Sequence, residues 1–290
     1  MKLTLVLADR FDNFVAETGT MRYSELIDIL RNPPLDRLKG QYLVAGQGLT
    51  EMEIDHAYCL GISFGLHQEM QHWRLGQHGK PAGRDLSHKH RPENVLISVP
   101  RRLTDSEFEA DLLVNDDNEL MHDHNTGLHV QGMVLTEACR QMFLAVTEKY
   151  FIDNFQASKR YFVINEMNVR FTSFVFPLPA QIRYRVIELG QSRPDRITAE
   201  VEMIVMQNGK NATSMNAKFA VFDAAVLSQK EAQMAKQSLD HYMQAAAAEF
   251  RDSPLAENPV QEQLRLESLR QAATREHAGT ARRGAMAMVA

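Results

Sequence analysis

The chain has 290 residues, 44% hydrophobic and 24% charged, with a formal net charge of −5. That composition excludes a largely disordered or low-complexity protein, and the charge excludes a global attraction to nucleic acid or anionic membranes. No run reaches the ~20 apolar residues of a membrane span, and the two cysteines, Cys59 and Cys139, exclude a disulfide framework.

Both cysteines lie in apolar surroundings, where reduced, packed thiols are expected. The opening MKLTLVLADRFDNF turns acidic too soon for a secretory signal, so a cytoplasmic location is expected. Residues 1–86 read as a small mixed α/β segment. KLTLVLA predicts a strand, and RYSELIDILRN a short helix with Ser24 as its cap, stopped by the prolines at 33–34. QYLVAG predicts a second strand. TEMEIDHAYCLGISFGLHQEMQHWRL predicts one longer helix, opened by a capping box of Thr50 and Glu53. Inside it, HQEMQHW places His67 and His72 five residues apart. Zinc hydrolysis needs the pair at i and i+4 on one helical face, so a solvated amphipathic helix is expected instead. GQHGKPAGRD then carries the glycines and proline of a linker.

Residues 87–225 form the expected second domain. ENVLISV and FEADLLVN predict strands around the turn PRRLTD, and NDDNELMHDHNTG predicts a polar loop. HVQGMVLTEACRQMFLAVTEKYF predicts a helix buried on several sides, because apolar residues occupy most of its faces. RYFVINEMNVRFTSFVF, AQIRYRVIEL and the two halves of RITAEVEMIVMQNGKNATSMNAKFAVFD predict strands, with Asn208-Gly209 as a hairpin turn. One buried helix ahead of a block of antiparallel strands is an α+β pattern, a sheet wrapped on a single helix. Residues 226–290 predict a helical, partly flexible tail. Its two helical stretches, AAVLSQKEAQMAKQSLDHYMQAAAAEF and VQEQLRLESLRQAATREH, flank RDSPLAENP.

The chemistry concentrates in HDHNTGLHVQGMVLTEACRQ, residues 122–141. As a metal site it offers His122, His124 and His129, with Asp123 beside them. An H-x-H pair in a polar loop is common by chance and no cysteine is near, so no metal is expected. As an acid/base site it offers Glu137 on the second helical turn, Gln141 one turn further on the same face, and Arg140 beside it. Burial raises a carboxyl pKa, and an adjacent guanidinium lowers it. A loop histidine could relay protons near neutral pH, and the free N–H groups of the helix N-terminus could stabilise an oxyanion. The competing structural reading has Glu137 capping or bridging strands while Arg140 faces outward. The pattern alone leaves both open.

HVQGMVLTEACRQ closely resembles the H-V-P-G-M-x-L-x-E-A-x-R-Q signature of the A-factor biosynthesis (AfsA-like) hotdog family. MHDH resembles that family's aromatic-Asp-His element, and HKHRPENVLIS its segment of a histidine and a basic residue before a V-x-[LI]-[ST] strand. The resemblance covers roughly residues 87–225. More distantly, Gly132, Glu137 and Gln141 align with the P-G-V-L-x-x-E-A-x-x-Q helix of β-hydroxyacyl-ACP dehydratases, whose histidine falls near Asp123.

The resemblance implies a hotdog fold, a long central helix wrapped by an antiparallel sheet, within an α+β chain carrying a small N-terminal α/β extension and a helical tail. It implies transfer of a β-ketoacyl group, from acyl-CoA or an acyl carrier protein, to a small acceptor such as dihydroxyacetone phosphate, for γ-butyrolactone synthesis. Glu137 would be the catalytic acid/base, assisted by His124 or His129. Arg140 would contact phosphate or pantetheine, Gln141 would orient the acyl carbonyl, and Asp123, His122 and Gly132 would complete the substrate-binding set. No tightly bound cofactor is expected. A single repeat, where such synthases carry two, implies a homodimer. Gln131 stands where the family has proline, and NTGL lengthens the approach to His129, which puts the acceptor in question. A dehydratase or thioesterase on a similar thioester, and a non-catalytic acyl- or partner-binding hotdog, are the alternatives.

Overall fold

A computed structural model of the protein describes residues 2–16, 19–32, 34–75, 79–122, 126–152, 160–193, 196–252 and 263–270. The chain divides into two compact units, Met1–Ala224 and Ala225–Ala290.

The first unit begins with β1 (Lys2–Leu7), the one-turn α1 (Asp12–Val15), β2 (Thr20–Arg22), α2 (Tyr23–Arg31) and β3 (Gln41–Ala45). The three strands make a parallel sheet in the order β2-β1-β3. Leu26, Ile27, Ile29 and Leu30 of α2 are buried, the i, i+3, i+4 stripe of an amphipathic helix. Ser24 is not its cap. The helix starts one residue earlier, and the Ser24 N–H is satisfied from a distance by the Asp9 carboxylate at 3.1 Å.

α3 (Glu51–Ser63) opens with the expected capping box: Thr50 Oγ1 accepts from the Glu53 N–H, and the Glu53 carboxylate accepts from the Thr50 N–H at 2.8 Å. The single long helix expected over 50–75 is broken. Gly65 adopts φ +79°, which ends α3 and sets apart the one-turn α4 (His67–Met70). Helical periodicity continues across the break; a left-handed backbone overrides it. Cys59, on α3, is exposed rather than packed, whereas Cys139 is buried.

The short α5 (Arg84–Ser87) leads into a stretch that is not the strand expected for ENVLISV. Ile97 and Ser98 make only isolated bridges, to Leu112 and Pro81. The principal sheet comprises β4 (Arg101–Arg102), β5 (Glu107–Asp111), β6 (Arg160–Phe171), β7 (Gln181–Arg193), β8 (Arg196–Gln207) and β9 (Lys210–Asp223). Their order is β4-β5-β7-β8-β9-β6, every pair antiparallel. Between β5 and β6 runs α6 (Gly132–Tyr150), which crosses the sheet face and packs against β6, β7, β8 and β9. Along β8 intermediate and buried residues alternate without a break, as period-2 geometry requires of a strand with one face on the core. The β8–β9 turn is the expected Asn208-Gly209, both at positive φ (51° and 74°), the signature of a type I′ hairpin. Phe143 of α6 stacks on Phe219 of β9, ring centres 4.6 Å apart. This helix wrapped by an antiparallel sheet is the hotdog fold expected from the sequence.

The β3–α3 turn ties the small sheet to the principal one. The Gln47 side chain donates to Leu112 O and accepts from the Val114 N–H, both at 2.9 Å, and the Gly48 N–H donates to Val114 O. Arg10 adds an ion pair to Asp116 at 2.9 Å. In the second unit, α7 (Ala224–Asp252) takes in the expected Ala-rich helix, and residues 263–270 are helical. The last dozen residues lie outside those described. No helix among the described residues is long and apolar enough to cross a membrane.

Candidate active site

α6 is buried along most of its length, yet it carries Glu137, Arg140 and Gln141. A buried polar group is tolerable only when its hydrogen bonds are made, and these three bond to one another and to the backbone beside them. Arg140 grips Glu137 with both arms of its fork: Nε to Oε2 at 2.7 Å and Nη2 to Oε1 at 3.0 Å. Gln141 has no solvent exposure. Its Nε2 donates to Glu137 Oε1 (3.1 Å) and Asn94 O (2.9 Å), and its Oε1 accepts from the Leu96 N–H (2.9 Å). The amide therefore straps the 94–96 segment to the helix, and both of its N–H donors are committed.

The fourth member is Lys89, whose Nζ lies 2.8 Å from Glu137 Oε1. Burial alone would push the Glu137 carboxyl up. The hydrogen bonds from Arg140, Lys89 and Gln141, together with the Arg140 charge, outweigh it and hold the carboxyl below its ordinary value. Glu137 is thus an ionised carboxylate on a helix wall, flanked by two cations. Its neighbourhood is reinforced further along α6, where Glu148 receives His88 Nε2 at 3.2 Å and Arg160 Nη2 at 2.8 Å. His88 sits at φ +56° after α5, so the adjacent residues His88 and Lys89 turn to different carboxylates of the same helix.

Of the expected loop histidines, the described ones, His122 and His129, are not joined to this cluster. His129 packs its ring on Phe174 (centres 4.5 Å apart) with Nδ1 3.2 Å from Thr126 Oγ1. With Gly132 and Leu135 it lines a cavity of about 570 Å3 at the start of α6. Gly132 is closely approached there: a Cβ would lie 3.0 Å from the ring of the half-exposed Phe171, which would have to shift to admit it. His122 is exposed, its N–H donating to Glu119 O. Asp123 and His124 lie outside the described residues, so the three-imidazole set has no geometry to weigh. Lys89 is the site residue that sequence reasoning passed over. Its signal was the HKHRPENVLIS segment, which supplies Lys89, Asn94 and Leu96 to the carboxylate and its strap.

A second cavity, of about 620 Å3, lies between the β3–α3 turn and the 79–95 segment, and Lys89 lines it.

The A-factor biosynthesis hotdog domain profile matches residues 72–223, just over half of the chain. The chain belongs to that family. No curated protein matches it. Among solved structures, the AfsA-type chain is similar to a conserved protein from Pseudomonas aeruginosa at 22% identity and a TM-score of 0.36, covering 49% of this chain and 100% of that one. A mutant thioesterase from the same organism is 19% identical with a TM-score of 0.33, over 43% of this chain and 81% of that one. A hypothetical thioesterase from Streptococcus pneumoniae, solved with coenzyme A, is 13% identical with a TM-score of 0.30, over 43% and 84%.

Proposed function

We propose that this AfsA-type hotdog is an enzyme of acyl thioesters. In this reading it transfers a β-ketoacyl group from coenzyme A or an acyl carrier protein to the hydroxyl of a small acceptor resembling dihydroxyacetone phosphate, within γ-butyrolactone-type synthesis in the cytoplasm. The observation that carries the reading is Glu137, a carboxylate kept ionised by Lys89 and Arg140 at the position of the family's signature glutamate.

An ionised carboxylate is a proton acceptor. Glu137 takes the proton of the acceptor hydroxyl as its oxygen attacks the thioester carbonyl. The C–O bond forms, the C–S bond breaks, and the departing sulfur takes that proton from Glu137, leaving as the free thiol and restoring the carboxylate. Lys89 and Arg140 are the cations next to the charge that develops on the carbonyl oxygen. A phosphorylated acceptor would compete with Glu137 for the same two cations, which would raise the carboxylate's basicity as the substrate arrives. Gln141 acts in this scheme as a positioning residue rather than a carbonyl contact. His129, at the neighbouring cavity, is available to a substrate's far end.

A homodimer is part of the proposal. β6 is an edge strand that exposes Tyr161, Ile164, Met167 and Phe171, and an exposed apolar edge supports pairing with a second copy.

The test is thiol release from a panel of β-ketoacyl-CoAs, with and without phosphorylated trioses. Release that requires the triose phosphate is expected, and Glu137→Gln should lower it by about 10²–10⁴-fold. Release without an acceptor would make the protein a thioesterase. A folded Glu137→Gln protein at full rate would remove Glu137 from the chemistry.

A further inference from the structure

The 620 Å3 cavity is walled by two parts of the chain that are remote in sequence. The β3–α3 turn gives Leu49 and the first turn of α3 gives Ile54; the principal sheet's side gives Pro81, Val95 and Val114. Its size is that of a small-molecule site, and apolar groups make up most of its wall. The charged groups there have both signs, Arg84 and Lys89 against Glu51, Glu93 and Asp117, so the cavity offers no concentrated positive charge for an anionic ligand. Gln47, in the same turn, has its amide committed to Leu112 and Val114. Lys89 lines the cavity while its Nζ touches Glu137. A neutral, apolar group placed there is therefore one side chain away from the carboxylate.

We infer that this cavity receives the acyl chain of the thioester, and that the N-terminal turn over residues 45–54 gauges its length. The inference rests on the acyl-thioester reading above and specifies the substrate of that site. The N-terminal segment thereby gains a role, supplying the far wall of a pocket that the hotdog sheet and helix leave open.

Two substitutions move that wall. A Cβ at Gly83 meets no atom within 4 Å, and the residue's φ of −63° suits any side chain, so Gly83→Phe adds bulk at the cavity's lining without backbone strain. Leu49→Ala removes bulk from the opposite side. Calorimetric titration of Glu137→Gln protein with acyl-CoA and acyl-pantetheine thioesters of increasing length should show affinity rising about fourfold per methylene up to a limit. In the Glu137→Gln background, Gly83→Phe should bring the limit to a shorter chain and Leu49→Ala to a longer one, with circular dichroism confirming the fold.

Affinity independent of chain length, an unchanged limit in both variants, or no binding of either thioester would overturn the inference. Thioester consumption by the wild-type protein separates it from the broader reading. Consumption that depends on Glu137 but not on chain length leaves that reading standing and sinks the pocket. Length-gauged binding with no consumption keeps the pocket and sinks the transfer.

Discussion

Removing the Gln141 amide would orphan the buried Leu96 N–H, take a donor from the half-buried Asn94 carbonyl, and take one from Glu137. An unsatisfied buried polar group costs ~1–3 kcal/mol. Gln141→Leu, close in volume, should therefore lower the unfolding free energy by about 3 kcal/mol, measured by urea denaturation. A loss of about 0.5 kcal/mol or less, the level of an ordinary surface change, would mean that the strap is slack. Glu137 offers a second handle at this scale. Its carboxyl is held below its ordinary value in the folded protein, so the ion pairs with Lys89 and Arg140 contribute stability that is fully present above ~4.3, the unfolded value. That stability is lost as pH falls through the lower folded value. The stability gap between wild type and Glu137→Gln should be flat near neutrality and shrink on acidification. A gap that persists unchanged to about pH 3 would contradict the assignment.

The break between α3 and α4 can be tested without touching any contact, because a Cβ at Gly65 meets nothing within 4 Å. Gly65→Ala should cost about 1–2 kcal/mol from the left-handed backbone alone; no change in the thermal midpoint would show that the turn relaxes freely. This residue also marks where the sequence stops being readable. The helix α6 and the β8–β9 hairpin were legible because their signals are local: a long apolar helix, period-2 alternation, and Asn-Gly at the turn. Apolar periodicity runs straight through Gly65 and so predicts one helix over 50–75, whereas only φ distinguishes a bend from a continuation. ENVLISV looked like a strand because its apolar residues are buried. They are buried as an irregular segment held by bridges at Ile97 and Ser98 and by the Gln141 amide. Glu137, Arg140 and Gln141 were visible together because one helical turn unites them. Lys89, on a separate segment, meets Glu137 only once α5 has packed on α6, and no spacing rule records such a meeting.

At the scale of the whole molecule, the decisive contacts join the first 50 residues to the stretch after β5. Gln47 reaches Leu112 and Val114, 65 and 67 residues further along, and Arg10 reaches Asp116. In the folded protein these tie the small parallel sheet and the hotdog into one compact unit. During synthesis they impose a timetable. The strands of residues 1–50 leave the ribosome before residues 112–114, when the groups that pair with Gln47 and the Gly48 N–H do not yet exist. Residues 1–50 are thus made well before their partners, and their apolar inner wall should stay open to water until the strand at 107–111 and its sequel have emerged. Stalled chains ending before residue 107 should leave residues 1–50 open to protease, whereas chains extended past residue 223 should protect them. Protection of the short chains would show that the small sheet closes unaided.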